Sequence, residues 1–304
     1  MDYCFIDHET VPEGIKRIAC ELLDEAIERT KPGRKNRDEA IHDVRVATKK
    51  LRALLRLARA KSHDDLFAKE LYRYRKIGRR LSDLRDATAM VAAIDGLTKR
   101  YADQLSSNAF AELRKPFIRR RNTQHSDDKK AFAEVARMLT SARPQVAKWP
   151  IDEDGFGAVH QGLKRIYKKG RLLMAEAQAA PSIESLHAWR KRVKDLWYQV
   201  RLFKPAWPAM LKKLADELEK LADYLSEDHD LAILRNRVLQ QSPEDRTQLE
   251  ALVALIDQRR GELEVEASRL GKRLYVESPN TFARRFKVYW RAWHKEGNLP
   301  REAA

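Results

Sequence analysis

Cysteine, glycine and proline are all scarce in this chain. Only two cysteines, Cys4 and Cys20, occur in 304 residues. No Cys-x-x-Cys pair or Cys/His ligand spacing surrounds them, which excludes a disulfide framework and a zinc module. They read as reduced, partly buried thiols of a cytoplasmic protein. Glycine and proline number 11 each, too few for the tight turns a β-rich fold needs. The longest apolar runs, such as 251–256, fall far short of the roughly 20 residues that span a bilayer, so no membrane partner is expected. The opening residues Met1-Asp2-Tyr3-Cys4-Phe5 lead into acidic residues rather than a basic and then an apolar stretch, so no signal peptide is expected.

Catalytic signatures are missing as well. Residues 157–162 have the glycine spacing of a phosphate loop, but Leu163 stands where the lysine belongs and no strand precedes it. His8-Glu9 begins a zinc-protease string that Pro12 breaks. Gly-x-Ser-x-Gly is absent. No acidic metal cluster accompanies the histidines. Neither a cofactor, nor a metal, nor an enzymatic activity is therefore expected.

What is abundant is positive charge. Lys and Arg total 61 against 45 Asp and Glu, a formal net charge of +16, while hydrophobic residues still reach 43%. That balance excludes a disordered chain and suits a folded, soluble, basic protein that meets a polyanion.

Helical periodicity dominates the chain. Helices are expected over about 11–30, 38–60 with Asp38 as N-cap, 63–100 with a bend near Gly78 or Ser82, 103–121 and 127–140. After a Pro- and Gly-containing linker at about 144–157, the pattern resumes over about 158–179, 182–203, 208–240, 243–276 and 279–295. Ser182, Ser242 and Ser278 sit where N-caps belong. The expectation is an all-α fold of two lobes, about 1–143 and 158–304, each with about four helices. Phe282, Phe286, Tyr289, Trp290 and Trp293 follow helical spacing that suits docking against a bundle.

The two halves also read as copies. Gly14-Ile15-Lys16-Arg17-Ile18 returns as Gly162-Leu163-Lys164-Arg165-Ile166. His42-x-x-Arg45-x-x-x-Lys49 returns as His187-x-x-Arg190-x-x-x-Lys194, and Leu81-Ser82-Asp83-Leu84-Arg85-Asp86 as Leu225-Ser226-Glu227-Asp228-His229-Asp230. The offsets, 148, 145 and 144 residues, are nearly constant. An internal duplication with a pseudo-twofold is the expectation.

The chemistry concentrates on the helix after His42. At about 100° per residue, His42, Arg45, Lys49, Arg52 and Arg56 fall within roughly 80° on one face. Like charges at i,i+3 and i,i+4 repel by a few tenths of a kcal/mol each, so an extended anion would relieve the row. In the second copy His187, Arg190, Lys194 and Arg201 take that face, with Trp197 in place of Arg52 and Asp195 in place of Lys50. Further basic rows are Arg73, Lys76 and Arg80; Arg114, Lys115, Arg119 and Arg120; Lys164, Arg165, Lys168, Lys169 and Arg171; and Lys272 with Arg273. Asp86 and Asp230 are placed as orienting partners of a neighbouring His or Arg. His8, His63, His125, His160 and His294 read as structural.

The paired His-x-x-Arg-x-x-x-Lys segments, each followed by a Leu-Ser-x-x-x-Asp segment, resemble the CHAD family, the conserved histidine α-helical domain. The similarity extends to residues 274–279 with Phe282 and Trp290. The resemblance implies two four-helix bundles related by a pseudo-twofold, a basic central groove, and binding of inorganic polyphosphate. His42, Arg45, Lys49, Arg52, His187, Arg190 and Lys194 would face that ligand. Arg56, Lys76, Arg80, Lys115, Arg119, Arg165, Lys168, Arg171, Arg201, Lys272 and Arg273 extend the candidate surface. Polyphosphate-metabolising proteins and polyphosphate granules are the further partners this implies. Some members carry a triphosphate-tunnel domain, but its Glu-x-Glu-x-Lys strand has no counterpart here; residues 262–266 lack the lysine. Nucleic acid is the alternative ligand, and a metal-dependent phosphoryl transferase using the histidines is a third reading.

Overall fold

The computed structural model describes residues 3–31, 37–59, 63–106, 109–123, 125–151, 153–240 and 246–297; side chains are described for all of these except 37, 83–86, 123, 125–129 and 296–297. Among the described residues eleven α-helices follow one another: α1 Val11–Arg29, α2 Arg37–Ala58, α3 Asp64–Arg80, α4 Asp83–Arg100, α5 Ala111–Thr123, α6 His125–Ala142, α7 Gly157–Ala179, α8 Ile183–Leu202, α9 Pro208–Val238, α10 Arg246–Leu274 and α11 Pro279–Gly297. Among the described residues there is no strand, so the fold is all-α.

Local chemistry sets several helix starts. Thr10 and Glu13 exchange bonds ahead of α1: the Glu13 N–H donates to Thr10 Oγ1 at 3.3 Å and the Thr10 N–H to Glu13 Oε2 at 2.9 Å. Ser182 and Ser185 do the same ahead of α8, at 3.1 and 3.0 Å. The Thr281 N–H donates to Ser278 Oγ at 3.1 Å. Ser242 lies outside the described residues. Asp38 is not the cap expected of it, because α2 already begins at Arg37 and Asp38 falls in its first turn.

Two helix expectations need correction. The stretch 63–100 is two helices, α3 and α4, separated at Leu81-Ser82. The Gly78 carbonyl there accepts from Ser82 Oγ at 3.1 Å and from Arg45 Nη1 at 2.9 Å, so side chains satisfy the end of α3. The segment expected to be helical from 103 starts only at Ala111, after Phe110 with φ of 66°. A bulky residue rarely adopts that conformation, and here it accompanies full burial of the ring.

Among the described residues the first half therefore holds six α-helices and the second five. One apolar cluster runs through both, joining Ile15 and Leu22 of α1, Leu51 and Leu55 of α2, Leu163 of α7, Leu196 of α8 and Phe286 of α11. The segment expected as a linker belongs to it: Val146, Trp149 and Phe156 are buried in that core. A second cluster joins Met90 and Ile94 of α4 and Phe117 of α5 to Leu234 of α9 and Ile256 of α10. Both cores thus cross the middle of the sequence. The α11 aromatics dock as expected, with Trp290 5.3 Å from Phe5 and Phe286 5.5 Å from Phe203 between ring centroids.

Helix α2 packs against α1, α3, α7 and α8. Its crossing with α7 leaves no space at Gly162, where a Cβ would stand 1.8 Å from the Leu57 carbonyl oxygen. Gly261, within α10, has nothing within 4 Å of such a position. Gly162→Ala is expected to lower the melting temperature by several degrees, because overpacking against backbone costs about 1–3 kcal/mol or more. Gly261→Ala should raise it slightly, since alanine in a helix gains about 0.5–1 kcal/mol over glycine. Thermal unfolding of the two variants checks both signs.

Candidate functional site

Helices α2 and α8 lie against each other. Their seam is held by Gln199, fully buried, whose Nε2 donates to the Ala53 carbonyl at 3.0 Å. Beside the seam, with α4 and α9 as flanking walls, opens a cleft of about 620 Å³. Helix α2 lines it with His42, Arg45, Val46, Lys49 and Arg52, and α8 with His187, Arg190, Lys191, Lys194, Asp195, Trp197 and Tyr198. Ser82 and Ala89 come from the α4 side; Asp223, Ser226, His229, Asp230 and Ile233 come from α9. Both His-x-x-Arg-x-x-x-Lys segments therefore open onto one concavity. The seven residues first in line, His42, Arg45, Lys49, Arg52, His187, Arg190 and Lys194, are all brought together.

The two arginines are positioned in parallel ways. Arg45 Nη1 donates to Ser82 Oγ at 2.7 Å and to the Gly78 carbonyl. Arg190 Nε donates to Ser226 Oγ at 2.9 Å. Each serine in turn donates to the carbonyl four residues back, Gly78 and Ala222 respectively. The serine of the repeated Leu-Ser segment thus positions an arginine, a role the sequence reading missed although both serines stood at equivalent positions. Asp230 lines the cleft; the Asp86 side chain lies outside the described residues.

His229 was missed as well. Its ring stacks on His187 with centroids 4.1 Å apart and planes 23° apart. Burial, then repulsion from Lys191 and Arg190, holds the His187 pKa down at about 4. Burial, then Arg190, His187 and Lys191, holds His229 at about 3. Both rings are neutral at pH 7. The Nδ1 atoms of both, and Nε of Arg52, are buried without a hydrogen-bond partner among the described residues. Such orphaned polar atoms mark a place where a ligand or water completes the bonding.

Asp195 accounts for another departure. This buried carboxylate takes Arg56 across the seam at 3.1 Å and Arg192 at 2.9 Å. Arg56 is thereby drawn out of the cationic row it shares with Arg52. Burial brings its pKa down to about 10, so it stays charged. Arg201 also leaves the row, its guanidinium lying 5.2 Å above the Trp197 ring and 5.9 Å from that of Tyr3.

The other basic rows do not line the cleft. Arg80 pairs with Glu134 at 2.7 Å, and Lys115 with Glu112. Arg165 donates to the Arg59 carbonyl at 2.6 Å, and Arg171 to that of Glu277 at 3.2 Å. Lys76, Arg119, Lys168 and Arg273 are exposed elsewhere. Lys272 borders a separate cleft of about 420 Å³ between α7, α8 and α10. On α3 the flank matters: Arg73, Lys76 and Arg80 lie on one side of the buried stripe Phe67, Leu71, Tyr74 and Ile77, and Arg75 and Arg79 on the other. The first flank faces α6, through Glu134 and Ser141. Among the described residues no three His, Cys, Asp or Glu side chains group as a metal site, and no helix is long and apolar enough to cross a membrane.

Comparison with known proteins agrees with this architecture. No curated protein sequence matches the chain. Among solved structures, the crystal structure of the CHAD domain from the plant Ricinus communis superposes with a TM-score of 0.50, at 17% identity, covering 95% of each chain. That likeness concerns the fold. The family model described as CHAD domain matches residues 17–239, from α1 to the end of α9, and takes in both histidine segments and both arginine-bound serines. The chain therefore belongs to the CHAD family.

Proposed function

We propose that this protein binds inorganic polyphosphate in the cleft between α2 and α8 without turning it over. The observation that carries the reading is the meeting of His42, Arg45 and Lys49 with His187, Arg190 and Lys194 on one concave wall. A phosphate polymer offers charge, oxygen acceptors and no bases. It is recognised by forks, point charges and imidazole donors rather than by a base-reading helix. Ser82 and Ser226 fix the two arginines before the ligand arrives, which reduces the ordering cost of binding. Membership of the CHAD family supports the same ligand. For nucleic acid, the alternative ligand, the α11 aromatics are used in the core, which leaves stacking on a base to Trp197 and Tyr198 of the cleft wall.

Charge reversal tests the site. Arg45→Glu with Arg190→Glu should weaken polyphosphate binding by about a hundredfold or more, since hydrogen bonds to charged groups contribute roughly 1.5–3 kcal/mol each. Lys49→Glu with Lys194→Glu leaves the serine bonds intact and should act in the same direction. Helical circular dichroism should stay at the wild-type level in both. Retained affinity in both folded variants would place the ligand elsewhere.

Acidity supplies a second test. His187 and His229 are neutral when the cleft is empty, and a bound polyanion favours their protonated forms. Binding should therefore take up protons and strengthen as pH falls from about 8 to about 5.5, by at most about tenfold per unit for each proton bound. The empty protein should behave in the opposite sense. Its unfolded chain protonates these histidines at their ordinary pKa, so stability is lost as pH falls from about 6.5 toward 4. Affinity measured across that range, with His187→Gln/His229→Gln as the comparison, checks the sign. A pH-independent affinity would exclude the pair from binding.

A further inference from the structure

Lys191 stands apart from the other cations of the cleft. It lines the α8 wall between His187, one helical turn before it, and Lys194, about one turn after it, so the three share one helix face. Arg190 precedes it directly, and Arg52 lines the same cleft from α2. Arg45 and Arg190 are held by serine hydroxyls, whereas Lys191 is exposed and forms no ion pair among the described residues. Asp195 is the carboxylate at i+4 that a helical lysine would ordinarily reach. It is already taken by Arg56 at 3.1 Å and Arg192 at 2.9 Å. The other carboxylates of the wall, Asp223 and Asp230, come from α9, and Asp223 is under the influence of Lys194 and Arg190.

An amine in this setting meets two requirements of phosphate-directed acylation. The first is an anchor. An acyl phosphate carries a dianionic phosphoryl group joined through one oxygen to a carbonyl carbon. Arg190 and Lys194 offer that phosphoryl group charge-assisted hydrogen bonds. Held there, the adjoining carbonyl meets the amine within a complex rather than by chance collision. The second requirement is an uncharged nucleophile. Burial, then repulsion from Arg192 and Arg52, holds the Lys191 pKa below its ordinary value, so a larger share of this amine is free than of a solvated lysine.

We propose that Lys191 is a site of chemical acylation by small acyl phosphates bound in the cleft, and that polyphosphate blocks it. The inference rests on the reading of the cleft as a phosphate site and adds a modification that regulates it. The Lys191 Nζ lone pair attacks the carbonyl carbon; a C–N bond forms and the C–O bond to the phosphoryl group breaks. The electron pair of the broken bond leaves with phosphate, which takes up the proton released by the amine. The products are an N-acyl lysine and inorganic phosphate, and nothing is oxidised or reduced. Acylation removes a cation from the wall, so the acylated cleft holds polyphosphate less tightly, and the occupied cleft escapes acylation.

The test incubates the wild-type protein with acetyl phosphate and follows acetylation of each lysine by peptide mass spectrometry. Lys168 and Lys169, exposed on α7 and without an ion pair among the described residues, are the references. Lys191 should react at least about tenfold faster than either. Saturating tripolyphosphate should cancel that lead and leave the references unchanged. A neutral donor, the N-hydroxysuccinimide ester of acetic acid, lacks the phosphoryl anchor and should show a lead at least about fivefold smaller. Tripolyphosphate binding is measured on the same protein by calorimetry. If it binds, a Lys191 rate no higher than the references', an equal lead with the neutral ester, or a lead that survives tripolyphosphate would each overturn the modification site and leave the cleft reading standing. If tripolyphosphate does not bind, the cleft reading fails and the inference goes with it.

Discussion

Two helices that each carry a row of like charges have to pack against one another, and most of the architecture answers that constraint. Helix α2 buries Ile41, Val44, Leu51, Leu54 and Leu55 on its apolar side while His42, Arg45, Lys49 and Arg52 face the cleft. Helix α8 does the same with Leu186, Val193, Leu196 and Val200. Burial of about 1.5–3 kcal/mol per large apolar side chain readily outweighs repulsions of a few tenths of a kcal/mol between neighbouring cations. The stripe is therefore stable in the folded protein with no anion bound.

Repulsion is managed at particular points rather than spread evenly. Asp195 neutralises the part of the row nearest the seam by taking Arg56 and Arg192. Gln199 joins the helices through a backbone carbonyl and adds no charge. The Ser82 and Ser226 hydroxyls, which carry no charge, accept from Arg45 and Arg190. A carboxylate in either serine's place would pair with the arginine and compete directly with a phosphate oxygen.

Much of this was readable from residue order. Helical spacing, the Ser182 and Ser278 caps, the docking of the α11 aromatics and the central group of His, Arg and Lys follow from patterns within a few turns of one helix. What was not readable depends on how helices are rotated and crossed. The α3 rows containing Arg73 and Arg75 are equally basic, and only the placement of α6 shows which of them is taken up by it. In sequence Asp195 only stands in place of Lys50, and its pairing with Arg56 across the seam depends on how α2 and α8 cross. His229 lies between acidic residues in sequence, and its meaning comes from a ring on another helix. Membership of one core by Val146, Trp149 and Phe156, in a Pro- and Gly-containing stretch, likewise requires the fold.

The central claim is that both ridges serve one shared site. Calorimetric titration with tripolyphosphate at low salt addresses it directly, through the number of ligands bound per chain. A single saturable site per chain is predicted, because α2 and α8 face the same concavity. Two equivalent, independent sites per chain would mean that each ridge binds by itself, and would contradict the account.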